Sequence, residues 1–262
     1  MREPAKCWIF GDESGDMDSD RVFAIGVVGT RNPREVYKQL QNIRIRTNYT
    51  SEISYKSKDK RRLLCALRWM DWFFGGQEEV GVKILLKDKL LSNFETGYFK
   101  DNQFKAKDSS VAYCESYREV LKNFTPFKMD KKYFYYHQKS LNTLNVPSYL
   151  GGKIIGLGEE DCYSTSTQKK HKDGSFRGPS QLVQFADLMT STYRGLYESL
   201  HQVEPINKEE PPNQKDWSKN ILQLNLMYHL TDLRAKTLSR QNIYHPVYNR
   251  QIYEIWFWQK NA

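Results

Sequence analysis

Ile9-Phe10-Gly11-Asp12-Glu13-Ser14-Gly15-Asp16, followed by Arg21-Val22-Phe23-Ala24-Ile25-Gly26-Val27-Val28-Gly29, is the stretch on which the fold turns. Trp8, Ile9 and Phe10 favour a pleated backbone, and Phe23 to Val28 is a short apolar run between turn residues, so each segment reads as a strand. The connection from Gly15 to Asp20 is rich in Gly, Asp and Ser, as a hairpin requires. Asp12 then ends a strand whose other residues are apolar, where a carboxylate loses hydration and needs a partner. Two readings follow. Either Asp12 and Asp16 cap the turn through backbone amides, or Asp12 helps to hold a divalent cation. A calcium loop of the EF-hand type is excluded: Arg21 stands where a glycine is needed, and Val27 where a glutamate must close the loop.

Outward from the hairpin, Val36, Leu40 and Ile43 after Asn32-Pro33 predict a helix over 33–46. Leu63, Leu67, Met70 and Phe74 predict another, opened by Asp59 and stopped at Gly75-Gly76. Residues 79–86 read as a strand, 87–108 as a loop with a short helix, 109–124 as a helix and 132–137 as an aromatic strand. Two more strands are expected at 153–157 and 162–167. The basic, glycine-containing segment 168–179 reads as a loop, a mobile surface segment unless it overhangs a site. Over 180–200, Leu182, Phe185, Met189, Tyr193 and Leu196 form an apolar stripe, and Gln181, Gln184, Asp187, Ser191 and Arg194 a polar one. Such a polar stripe is either a solvated face or a row of working side chains.

Alternating strands and helices give an α/β chain with a mixed sheet flanked by helices, and the opening hairpin argues against an all-parallel sheet. We expect a main domain over 1–201, a Pro/Glu-rich linker over 202–216, and a C-terminal extension over 217–262 packed on the main domain. That extension reads as a helix followed by a terminal strand or amphipathic tail.

The 262 residues suffice for a sizeable core, to which 14% aromatic content contributes bulk. A net charge of +9 favours a polyanionic partner. No stretch is apolar for long enough to span a bilayer and the first residues lack the order of a signal peptide, so the expected compartment is the cytoplasm, with no membrane partner. Cys7, Cys65, Cys114 and Cys162 are far apart without a CxxC pair, which fits reduced thiols.

Three segments together resemble a known family. Asp12-Glu13-Ser14-Gly15 with the following apolar strand, then Glu52-Ile53-Ser54-Tyr55-Lys56, then Gln184-Phe185-Ala186-Asp187-Leu188 are similar, in order, to motifs of the family called domain of unknown function 3800. The resemblance implies a ribonuclease H-like fold and a divalent-metal-dependent nuclease. Asp12, Glu52 and Asp187 would be the catalytic carboxylates, Asp12 bridging two Mg²⁺ or Mn²⁺ ions and the others each holding one. Glu13 would join them if the backbone has turned by that point. Phosphodiester hydrolysis suits such ligands, because hard cations take carboxylate oxygens and neutralise the phosphate. One departure stands out: the strand that in such nucleases ends in another acid ends here in His137, which either ligates, acts as a base or is structural.

Substrate contacts are expected from Lys56, Gln184, Lys169, Lys170, Lys172 and Arg177, with the run 58–62 adding phosphate grip. Tyr98, Phe99 and Phe104 either stack on unpaired bases or lie under their own loop. The partner is RNA or DNA, and a second copy or another protein chain is also admissible. The alternative function is a non-catalytic nucleic-acid-binding component of a bacterial defence or mobile-element system. No P-loop, dinucleotide fingerprint or nucleophile elbow is present.

Overall fold

The computed structural model describes residues 5–17, 19–56, 59–75, 80–88, 97–100, 103–106, 109–122, 124, 130–137, 145–201, 215–237, 247–249 and 252–258. The 202–214 part of the expected linker, Lys58 of the basic run, and the side chains of Tyr98, Phe99 and Phe104 lie outside the described residues.

The opening hairpin forms as read. β1 (Lys6–Ser14) pairs antiparallel with β2 (Val22–Thr30), Asp12 facing Gly26 and Glu13 facing Ile25. β2 pairs antiparallel with β3 (Val80–Asp88), and Arg21 forks onto the buried Asp88 at 3.0 and 2.8 Å, tying the start of one strand to the end of the other. On the other side of β1, β6 (Lys131–His137) and then β7 (Cys162–Thr165) run parallel to it. β9 (Ile252–Trp258) and β8 (Val247–Asn249) extend the far edge beyond β3, giving the order β7-β6-β1-β2-β3-β9-β8. This is the mixed sheet flanked by helices expected from the sequence, with an antiparallel half and a parallel half meeting at β1.

Period-2 alternation sends side chains to two cores. Phe10, Val22, Ala24 and Val28 face α1 (Pro33–Thr47), α2 (Lys60–Phe74) and α5 (Gly178–Leu200), with α6 (Lys215–Thr237) packed outside. Ile9, Phe23, Ile25 and Val27 face α3 (Ser109–Lys122) and α4 (Val146–Leu150). Because both faces are covered, β2 is buried along its whole length.

Helix starts follow their caps. Asp59 accepts the N–H of Arg61 at 2.8 Å, and Pro33 opens α1 behind Asn32. Two segments differ from the sequence reading. Within 87–108, β3 runs on to Asp88, and β4 (Gly97–Lys100) and β5 (Gln103–Ala106) form a small hairpin; no helix is found among the described residues of that segment. Residues 153–157 form turns joined by a single Ile154–Leu157 bridge, because Gly152 and Gly156 take positive φ values of 71° and 77° that reverse the chain. The four cysteines are free thiols. No helix among the described residues is long and apolar enough to cross a membrane.

Candidate metal centre

β1 and β6 are parallel neighbours whose ladder ends with Gly11 opposite Tyr136. Asp12 and His137 therefore leave the two strands side by side, at the carboxyl ends where open α/β sheets commonly place their ligands. Aromatic stacking holds the pair of strands in register: Phe10 lies on Tyr135 and Trp8 on Tyr133, at 5.2 and 5.4 Å between centroids. Asp12 Oδ1 accepts the N–H of Glu13 at 2.9 Å and stands 3.3 Å from His137 Nδ1.

Glu13 starts out on the opposite face of β1 from Asp12. Its Oε2 accepts from the Tyr113 and Tyr117 hydroxyls of α3 at 3.0 and 3.4 Å, which holds the carboxylate in place. Even so, Asp12, Glu13 and His137 each present a ligand atom within 4.8 Å of the other two, so the strand end gathers both faces into one cluster.

Asp187, on α5, lies near enough for its charge to act on Asp12 and His137. Gly26 makes that approach possible: it lies opposite Asp12, and a Cβ on it would overlap Thr190 Oγ1, so only glycine lets the helix press so close. Phe185 secures the other side of the helix against Trp69, Trp72 and Phe73. Ser191 Oγ stands between Asp187 Oδ1, at 2.8 Å, and Ser14 Oγ, at 3.0 Å, linking helix to strand end. The polar stripe of α5 is thus no solvated face, since Gln181 and Gln184 are wholly buried and the charge of Asp187 is felt at Asp12.

The electrostatics carry the mark of several acids forced together. Burial, followed by the charges of Glu13 and Asp187, pushes the Asp12 carboxyl well up against the pull of His137. Burial, with Glu13 and Glu52 behind it, raises Asp187 to about 6, while its bond from Ser191 works the other way. The contact with Asp12 lifts His137 to about 9, favouring the imidazolium beside these acids. Asp12 and Asp16 both take backbone amides, as the capping reading has it, Asp12 from Glu13 and Asp16 from Ser19 at 3.0 Å. Asp12 also stands in the cluster.

Glu52 is half-buried and its charge reaches Asp187; its Oε2 accepts from Gln168 Nε2 at 3.2 Å. Gln168 opens the basic loop, so that loop borders Glu52. The loop turns on itself through His171 N–H to Ser175 C=O at 2.7 Å and leaves Lys169, Lys170, Lys172 and Arg177 exposed, with Lys170 Nζ donating to Thr50 C=O at 2.9 Å. Lys56 is exposed, and its charge acts on Glu198 in the last turns of α5. Gln184 does not face substrate. Its buried amide accepts from Arg44 and from Ile53 N–H and donates to Thr167 C=O, bracing the segment that carries Glu52.

Sequence reasoning passed over Tyr113, Tyr117 and Arg44. The tyrosines follow an ordinary apolar helix pattern, and Arg44 is buried at the end of α1 against Gln181, Gln184 and the Trp69 and Phe176 rings. Only the unusual density of glutamines on α5 hinted at such a guest.

No protein-family model and no curated protein matches the chain. Among solved structures it is similar to the ribonuclease H2 from Pyrococcus horikoshii OT3, at a TM-score of 0.46 and 11% identity, over 84% of this chain and 99% of that one. It is also similar to a mutant protein of Bst-RNase HIII, at a TM-score of 0.35 and 10% identity, over 91% of this chain and 72% of that one. Likenesses this distant carry no weight for chemistry, and the case for the site rests on its own geometry.

Proposed function

We propose that the chain is a divalent-metal-dependent nuclease, hydrolysing phosphodiester bonds of RNA or DNA, and a member of the family called domain of unknown function 3800. The observation that carries the proposal is the meeting of Asp12, Glu13 and His137, with ligand atoms within 4.8 Å of one another, at the carboxyl ends of two adjacent parallel strands. The donor set suits a small divalent cation: carboxylate oxygens and one imidazole, each from a different direction.

Asp12, Glu13 and His137 would hold the ion, and the further oxygen donors would be Asp187, whose charge reaches Asp12, and Glu52, whose charge reaches Asp187. When bound, the ion supplies charge neutralisation on the phosphate and Lewis acidity toward its oxygens. The chain's own groups do the rest. The Tyr113 and Tyr117 hydroxyls hold Glu13, and Ser191 holds Asp187 Oδ1. Lys169, Lys172 and Arg177, exposed on a loop that touches Glu52 through Gln168, take backbone phosphates without reading bases. Lys56 and Lys170 add charge at the margins.

The test is incubation of purified protein with end-labelled single- and double-stranded RNA, DNA and hybrid duplex, in Mg²⁺, Mn²⁺ or chelator. Cleavage of at least one substrate that stops in chelator supports the proposal. Binding without cleavage in every metal would overturn it in favour of a nucleic-acid-binding protein.

A further inference from the structure

Mg²⁺ is satisfied by hard oxygen ligands and sheds its water reluctantly, so a site built for it alone has no use for an imidazole. Here β6 delivers one. His137 occupies the strand's last position and is carried there by the ladder rather than by a loop. Its Nδ1 lies 3.3 Å from Asp12 Oδ1, close to the separation of roughly 3 Å between neighbouring donors around an octahedral ion with bonds of about 2.1 Å. An ion taken by Asp12 and Glu13 therefore falls within reach of the ring, which would take it as the neutral imidazole, its Nδ1 proton being released to solvent as the ion binds.

Resting on the metal-site reading above, we propose that this centre selects a divalent first-row transition ion over Mg²⁺, and that His137 is the donor that makes the selection. Nitrogen donors gain affinity along the first transition row and gain little with Mg²⁺, whereas carboxylates serve both. Glu13 and Asp12 then provide affinity that does not discriminate, and the imidazole provides the difference. Tyr113 and Tyr117, on Glu13 Oε2, keep that carboxylate from swinging away to give Mg²⁺ a wider all-oxygen sphere.

The experiment measures Mn²⁺ binding to the metal-free protein by the paramagnetic resonance signal of unbound Mn²⁺, with Mg²⁺ as competitor. Wild-type protein, His137→Asp and Asp12→Asn are compared after circular dichroism has shown each to be folded. The expected result is that wild-type protein keeps Mn²⁺ against roughly a 100-fold excess of Mg²⁺, and that His137→Asp lowers the required excess by about 10-fold or more. Pulsed resonance of the bound Mn²⁺ should show coupling to an imidazole nitrogen, absent in His137→Asp. Displacement by equimolar Mg²⁺, or an unchanged ratio in His137→Asp, overturns the selectivity while leaving the metal site standing. Failure of wild-type protein to bind Mn²⁺, or equal binding by Asp12→Asn, overturns the site and the selectivity together.

Discussion

The side-chain carbonyl of Gln184 accepts the backbone N–H of Ile53 at 3.1 Å, and so α5, which carries Asp187, is bonded to the residue next to Glu52. The same buried amide takes Arg44 and gives to Thr167 C=O, joining four parts of the chain at one point. Gln184→Ala would strand a guanidinium N–H, a backbone N–H and a carbonyl away from water. A loss of about 2–4 kcal/mol is expected in urea unfolding. An unchanged midpoint and slope would show that the brace is not needed.

Gly26 and Thr190 set how close α5 comes to the sheet. Gly26→Ala should destabilise by about 1–3 kcal/mol, since a methyl group must displace either the helix or the strand. Thr190→Ala should recover part of that loss in the double variant, and the coupling of the two changes in a double-mutant cycle measures the contact. Additive effects would place the strain elsewhere.

His137 should titrate far from its usual range. In the metal-free protein its ring proton resonance is expected to move with a midpoint near 9, because the contact with Asp12 favours the imidazolium. In Asp12→Asn the midpoint should fall toward the ordinary value of about 6.5. The sign for stability follows: a raised imidazole contributes fully below about pH 6.5, and its share is lost as the pH climbs through about 9. A wild-type midpoint near 6.5 would mean that the two side chains do not meet in solution.

Much of this was legible in the sequence, for physical reasons. Apolar runs broken by Gly and Asp gave the β1–β2 hairpin and put Asp12 at a strand end, and the 3.6-residue spacing gave α1, α2 and α5 to within a residue or two of their ends. Asp12 could be picked out because it is a carboxylate at the end of an otherwise apolar strand, whereas Asp187 lay on a polar stripe and was singled out only by the resemblance of Gln184-Phe185-Ala186-Asp187-Leu188 to a family motif. Contacts that depend on distant partners could not be picked out. Nothing local in Glu13 announces Tyr113, 100 positions away, or in Arg44 the amide of Gln184, 140 positions away. For the same reason Gln184 read as a working residue of an exposed stripe, although burial makes it a brace. The β4–β5 hairpin was missed because its strands are 4 residues each, too short for a period to stand out. His137 was visible as a departure at a strand end, and only its 3.3 Å approach to Asp12 places it in the cluster.

The most direct measurement is the rate of metal-dependent cleavage by Asp12→Asn and Asp187→Asn beside the wild-type protein, on whichever nucleic acid the wild type cuts. Both changes remove a charge with almost no change in volume, so the fold should persist by circular dichroism. Each rate is expected to fall on the order of 10³-fold, with nucleic-acid binding retained through the basic loop. Folded Asp12→Asn protein that cuts at close to the wild-type rate would contradict a catalytic centre at the ends of β1 and β6.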